Sequence, residues 1–407
     1  MSTQPTITPD ISGLNRVRGF RTAATAANIR GKKDGRPDLA LVLADRSCTA
    51  AGVFTTNDVQ AAPVLLCRET LAARESFRGF VINSGNANAC TGEDGMRDAR
   101  VMAEAAARAC DVPEGSLFVC STGRIGERLP LARIELGIDK AALALSDSDE
   151  AAAQTARAIL TSDTRPKTVL AETELAGQRV TLAGMAKGAG MIDPNMATML
   201  AFLVTDARVP KKQLQEILAA AVDKSFNRIT IDGDMSTNDT VLALANGASG
   251  AEPAAAEDRD ALQAAFDAAC ATLAEKIVGD GERVTKFVEL IIEGARDGAD
   301  AEKIARAIGN SLLVKTSWFG NDPNWGRLVD AAGYARAGLE FDTLDLFYGD
   351  SPVLQKGRPL WELKDDWKAV VARDRFTITL RLHQGRGHCR LLASDLTEGY
   401  VNFNKSE

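Results

Sequence analysis

Lys187-Gly188-Ala189-Gly190-Met191-Ile192-Asp193-Pro194-Asn195-Met196-Ala197-Thr198-Met199-Leu200 is a turn-rich stretch that delivers one threonine to the head of an apolar run, Met199-Leu200-Ala201-Phe202-Leu203-Val204. Gly188 and Gly190 permit backbone angles closed to other residues, and Pro194 fixes its own φ, so a strained peptide bond is tolerable just before the run. The run itself is short and continuous, the pattern of a buried strand. Pattern alone leaves two readings of Thr198 open: the first residue of that strand, or a side chain presented for chemistry.

The chemical reading rests on what a threonine needs. Its hydroxyl is a poor nucleophile until a base takes the proton, and cutting the Ala197-Thr198 bond would free the threonine's own α-amine for that task. An α-amine titrates at about 7.7 to 8.0, so a useful fraction is neutral near physiological pH, whereas an amide nitrogen is not basic. The scarcity of histidine points the same way. Only His383 and His388 exist, both beside Gln384-Gly385-Arg386-Gly387, which reads as a hairpin tip between Phe376–Leu380 and Cys389–Leu392.

Outward from the opening stretch, short apolar runs at Leu39–Val53 and Phe77–Asn83 read as strands, and Thr168–Leu182, broken at Gly177, as a hairpin. Helical spacing covers Asp94–Cys110, Ser146–Leu160, Lys211–Asp223 and Ala255–Ile277. A strand at Phe287–Ile292 and a helix at Ala301–Ile308 continue the mixture, which predicts an α/β protein of mixed sheets covered by helices.

The chain has 407 residues, 45% of them apolar and 25% charged, enough for two domains or one large intertwined one. A net charge of -7 argues against a nucleic-acid or anionic-membrane partner held by bulk electrostatics. Seven cysteines lie scattered with no C-x-x-C pair, which fits neither a disulfide framework nor a zinc cage, and a reducing, cytoplasmic setting is expected. The first residues lack a basic-then-apolar signal pattern. No P-loop is present and no metal site is expected; Asp232-Gly233-Asp234 fails as a calcium loop because its sixth and twelfth positions are Thr237 and Ala243.

Lys187 of the opening stretch and three other segments carry groups with possible chemistry. Ser121-Thr122-Gly123 follows the apolar Leu117-Phe118-Val119, so a strand end should place backbone amides and the Thr122 hydroxyl on an exposed turn able to stabilise an oxyanion. Lys187 is suited to a substrate carboxylate or to moving a proton. Glu282, after Gly281, offers a carboxylate to a substrate ammonium, and Asn83-Ser84-Gly85-Asn86-Ala87-Asn88 offers amides at a strand end.

Together with Thr161-Ser162-Asp163-Thr164, Asp232–Asp239 and Asp322-Pro323-Asn324-Trp325-Gly326-Arg327, these segments resemble the ornithine acetyltransferase (ArgJ) family over essentially the whole chain. The resemblance implies a layered αββα sandwich with a smaller additional α/β domain. It implies self-cleavage between Ala197 and Thr198 into residues 1–197 and 198–407, which share the core sandwich and assemble as an α2β2 heterotetramer. It makes Thr198 the nucleophile that takes acetyl from N-acetylornithine and passes it to glutamate, with some members also accepting acetyl-CoA as a substrate and no other cofactor. Thr122 and Gly123 become the oxyanion hole, and Thr161, Lys187, Thr198, Glu282 and Asn404 the substrate contacts. Arg124 and Arg283-Val284 depart from the usual pattern at the pocket rim, and the family's terminal Ser or Thr has only Ser406 near its place. Two rival functions stand beside it: an N-terminal-nucleophile amidase or aminopeptidase that uses the same activated threonine but hands the acyl group to water, and an uncleaved ligand-binding protein that merely retains the Gly-rich loop.

Overall fold

The computed structural model describes residues 4–10, 13–32, 34–193 and 199–405, which form two compact units. One lies within Met1–Gly188, Pro194–Asn227 and Met235–Ile277, the other within Ala189–Asp193, Arg228–Asp234 and Val278–Glu407.

The strands of the first unit are β1 (Thr6–Pro9), β2 (Phe20–Thr25), β3 (Leu39–Phe54), β4 (Phe77–Asn86), β5 (Leu117–Arg124), β6 (Lys167–Leu175), β7 (Gln178–Lys187), β8 (Leu200–Thr205) and, beyond β9 (Ile229–Thr230) of the second unit, β10 (Thr240–Ala245). They follow one hydrogen-bonded path, β1-β6-β7-β8-β10-β3-β4-β5, with β2 also on β3. β3 belongs to two sheets. Its first half pairs with β2 and β4 and its second half with β10, and the register slips between Leu43 and Cys48, where Asp45, Arg46 and Ser47 are exposed.

The two sheets face each other through alternate residues, as the period of a strand requires. Phe80 of β4 meets Phe202 of β8 with ring centroids 5.1 Å apart, inside a core that includes Val42, Ile82, Phe118, Met185, Leu200, Val204 and Leu242. The helices are α1 (Ala62–Ala73), α2 (Gly92–Ala109), α3 (Leu131–Leu143), α4 (Asp149–Ala158), α5 (Lys211–Lys224) and α6 (Ala256–Val278). Met102 of α2 and Ile134 and Ile138 of α3 cover the opposite face of one sheet, on Leu39, Leu41, Val81 and Val119. α5 and α6 cover the other sheet. The Gln215 amide bonds both backbone groups of Gly52 at 3.0 and 3.1 Å, and a side chain at Gly184 would meet Leu273 of α6 at 3.1 Å. The result is the layered αββα sandwich.

In the second unit β9 joins β11 (Phe287–Ala295), β12 (Asp345–Tyr348), β13 (Ser351–Gln355), β14 (Arg358–Pro359), β15 (Arg375–Arg381) and β16 (Gly387–Ser394) in the order β14-β13-β12-β15-β11-β16-β9. Helices α7 (Gly298–Gly309), α8 (Leu312–Phe319), α9 (Trp325–Tyr334), α10 (Lys364–Val371) and α11 (Glu398–Asn404) accompany it. Val288, Leu290 and Ile292 of β11 are fully buried with Ile304, Ile308, Leu328 and Trp367. This is the smaller α/β domain.

The strands and helices read from spacing appear within a few residues of their expected bounds. The Thr168–Leu182 hairpin turns at Ala176 and Gly177, both at positive φ, the geometry that suits strand twist. The final hairpin does not form. β15 and β16 both pair with β11, in parallel and antiparallel sense, so β11 sits between them. Residues 382–386 cross over the end of β11, held by Leu382 N to Glu293 O and Gln384 N to Gly294 O at 2.9 and 2.7 Å. The glycines that resemble a hairpin tip serve this crossing: a side chain at Gly387 would lie 2.0 Å from the Asp297 carbonyl oxygen. Among the described residues no helix is long and apolar enough to cross a membrane.

Candidate active site

Parallel pairing sets the first cluster, with Ser84 opposite Thr122 and Gly85 opposite Gly123. Thr122 is not on an exposed turn: it is 8% exposed, because β5 runs on to Arg124 beside the turn that follows Asn83. That turn spends its own amides. Asn83 Nδ2 donates to Asn86 O (2.9 Å), Asn88 Nδ2 to Gly95 O (2.9 Å) and Ser121 Oγ to Asn83 Oδ1 (2.6 Å). Gly123 has φ 135°, and a Cβ there would stand 2.3 Å from the Gly85 carbonyl carbon, so only glycine lets these strand ends approach.

Lys187, last residue of β7, is 5% exposed, and its Nζ donates to Thr122 Oγ1 at 3.0 Å. An ammonium on that oxygen uses one of the hydroxyl's acceptor positions and leaves its proton to be donated elsewhere. One residue on, Gly188 N donates to Asp163 Oδ1 (2.7 Å), which also receives Lys167 Nζ (2.6 Å), while Thr161 N donates to Asp163 Oδ2 (3.1 Å). Burial alone would raise the Asp163 carboxyl, but the charges of Lys167 and then Lys187, with the Gly188 amide, hold it well below the usual carboxylate range. Arg36 reaches the same loop, donating to Leu160 O and Thr161 O at 2.8 and 3.4 Å. Thr122, Gly123, Thr161 and Lys187 are thus brought together in one cluster, with Asp163 hydrogen-bonded to the backbone on both sides of it.

Asp163 and Lys167 side chains are both 0% exposed, so Asp163→Asn would break a buried ion pair from one side, an expected loss of about 3–5 kcal/mol in a urea unfolding titration. The sign with pH follows from the lowered value. The stabilisation is present above the unfolded carboxyl's pKa of about 3.9 and disappears as pH falls through the lower folded one, so the Asn variant should lack that acid-dependent part.

Thr198, Ala197 and Ser406 lie outside the described residues. The next residue, Met199, is held at both ends: its N donates to Asp239 Oδ1 (2.6 Å), and its carbonyl accepts from Thr240 N (3.1 Å). Asp239 is 2% exposed, and its Oδ2 has no partner among the described residues. Burial pushes this carboxyl well above its usual range, against the opposing pull of the Met199 amide and the Lys187 charge. Neither Asp163 nor Asp239 stood out in the sequence, although both fall inside quoted motif segments.

The second unit brings together Glu282 and Asn404. Asn404 Nδ2 donates to Glu282 Oε2 at 2.9 Å, and Glu282 N to Ala189 O at 2.8 Å. The carboxyl carbon lies 2.6 Å from where a side chain on Gly190 would begin, so Gly190 is what lets the acid pack on the backbone. Asp232 receives Met191 N (2.6 Å), Ile192 N (2.7 Å) and the Tyr400 hydroxyl (3.1 Å), which ties the same short segment to α11. Arg283, at φ 57°, lies over the Phe403 ring at 5.2 Å.

A sequence profile of the ArgJ family matches residues 21–406. The chain belongs to the ArgJ family. It is similar to the arginine biosynthesis bifunctional protein ArgJ of Nitratidesulfovibrio vulgaris, 45% identical over 390 residues that cover 95% of this chain and 98% of that one. The ArgJ of Geobacter sulfurreducens is 46% identical over 391 residues, again 95% and 98% of the two chains. Among solved structures, the ornithine acetyltransferase of Mycobacterium tuberculosis, complexed with ornithine, is 36% identical over 48% of this chain and 100% of that chain, with a TM-score of 0.43. Membership of the ArgJ family makes this an enzyme of arginine biosynthesis.

Proposed function

We propose that this protein is a self-cleaving glutamate N-acetyltransferase whose nucleophile is Thr198. In the cleavage, Thr198 Oγ attacks the Ala197 carbonyl, the C–N bond breaks, and the hydroxyl proton ends on the freed nitrogen. Water then hydrolyses the ester, returning a proton to Oγ and leaving a carboxylate on Ala197. The fragments stay together because β8 and β10, which follow Thr198 in the chain, are hydrogen-bonded between β7 and β3, which precede it. Two copies of each fragment form the α2β2 assembly, and the reducing cytoplasm keeps the cysteines, all free thiols, in that state.

In the transfer, Oγ attacks the acetyl carbonyl of N-acetylornithine while the α-amine takes its proton. The Thr122 hydroxyl and the Gly123 amide hold the oxyanion; collapse expels ornithine, whose nitrogen receives that proton. Glutamate's amine then attacks acetyl-Thr198, and its proton returns through the α-amine to Oγ, a ping-pong sequence. Glu282 offers its carboxylate to a substrate ammonium group, and Thr161, Lys187 and Asn404 are the further substrate contacts that the family reading assigns. Acetyl-CoA serves as a second donor to the same threonine.

The observation that carries this reading is the buried Lys187 to Thr122 contact, which joins residues 65 positions apart and, by using an acceptor position of the hydroxyl, leaves its proton available for donation. Purified protein incubated with N-acetylornithine plus glutamate should yield N-acetylglutamate and ornithine in equal amounts. Free acetate appearing at the same rate without glutamate would show a hydrolase instead. Acetyl-CoA plus glutamate in a parallel reaction tests the second donor.

A further inference from the structure

Two adjacent residues, Asn238 and Asp239, end the segment that leads into β10. Asn238 Nδ2 donates to Ala87 O and Ser121 O at 2.7 and 2.9 Å, and Asp239 Oδ1 accepts from Met199 N at 2.6 Å. One dipeptide thus grips the residue just before Thr122 and the residue just after Thr198. Its own position is fixed: both side chains are buried, Thr55 N donates to Asp239 O (3.0 Å), Thr237 Oγ1 donates to Asn238 Oδ1 (2.7 Å), and Ala61 N donates to Thr237 O (2.9 Å).

We infer that Asn238 and Asp239 are a positioning pair that sets the spacing between the oxyanion strand and the nucleophile-bearing strand. This rests on the reading of Thr198 as nucleophile. β5 and β8 have no ladder between them: the path from one to the other runs through β4, β3 and β10. Backbone pairing therefore fixes their separation only through four successive strand contacts, across the bend in β3. A direct link, one side-chain hydrogen bond to Ser121 of β5 and one from Met199 at the head of β8, removes that slack. The Met199 nitrogen is the far end of the peptide unit that begins at Thr198, and because that unit is planar, whatever holds the nitrogen limits where the threonine can stand. Reacting groups displaced by about 1 Å lose on the order of a hundredfold in rate, so such a link acts on chemistry and not on affinity.

The sharpest test compares Asp239→Leu, similar in bulk but without an acceptor, with Asp239→Asn, which keeps an oxygen for Met199 N. Fresh precursor is followed on denaturing gels for the cleavage rate, and the matured enzyme is assayed for kcat and, by calorimetry, for ornithine affinity. In D239L both the cleavage rate and kcat should fall about a hundredfold with ornithine affinity unchanged, and D239N should restore both to within about tenfold of wild type. A folded D239L with wild-type cleavage and kcat, or a D239N as impaired as D239L, would overturn the inference. If D239L fails to fold, Asn238→Ala loosens the other grip and should lower kcat without changing ornithine affinity; wild-type kcat there overturns it equally. Thr198→Ala separates the two ideas. If that variant is uncut and inactive while D239L behaves as wild type, only the positioning role fails; if it still turns over, the nucleophile assignment fails first.

Discussion

Thr198→Ala is expected to leave a single 407-residue polypeptide that transfers no acetyl group. Two losses coincide in this change, and each alone is severe. Alanine has no oxygen to attack the Ala197 carbonyl, so the chain stays whole; because it stays whole, the nitrogen at position 198 remains an amide and cannot act as a base. Removal of a nucleophile that works as a unit with its base costs on the order of a millionfold, with residual rate supplied by the oxyanion hole and binding alone. The measurement is direct: a denaturing gel for the precursor, amino-terminal sequencing of any fragment, and turnover with N-acetylornithine and glutamate. Thr198→Ser retains both hydroxyl and amine, so it should cleave and turn over at reduced rate. Two fragments or wild-type turnover from the alanine variant would refute the assignment.

How far this site could be read from sequence depended on the range of the interactions that build it. Runs such as Met199–Val204 and Phe77–Asn83 declare themselves because side-chain periodicity is local, and mixed sheets covered by helices follow from them, whereas the αββα layering is implied only by the family resemblance. Pairing partners leave no such trace. Phe376–Leu380 and Cys389–Leu392 have every local mark of a hairpin, yet β11 lies between them, its backbone paired with β15 on one side and β16 on the other. The same limit hid Asp239. Its bond to Met199 spans 40 positions, and an acid in a polar segment looks alike whether it caps a turn or anchors a strand. Thr122 could be singled out by residue type, but its burial came from the Asn83–Asn88 turn packed beside it, which strand composition does not encode.

The second large effect is expected at Thr122, where valine keeps the shape and removes only the hydroxyl. If that hydroxyl holds the oxyanion, kcat should fall about a hundred- to a thousandfold, roughly 2.7–4 kcal/mol of transition-state stabilisation, with little change in ornithine affinity. A stability loss will accompany it. Lys187 Nζ donates to Thr122 Oγ1 at 3.0 Å, and withdrawing the acceptor from a buried ammonium costs about 1.5–3 kcal/mol. Thr122→Ser separates these consequences from simple misfolding, since serine supplies donor and acceptor alike and should recover most of both. Lys187→Met gives the complementary measurement. In the Thr122→Val, Lys187→Met double variant the ammonium no longer needs an acceptor, so the combined stability loss should be smaller than the sum of the two single losses, by about 0.5–3 kcal/mol for residues in direct contact. Strict additivity would mean that the contact does not couple the residues, and the donor role assigned to Thr122 would lose its physical basis.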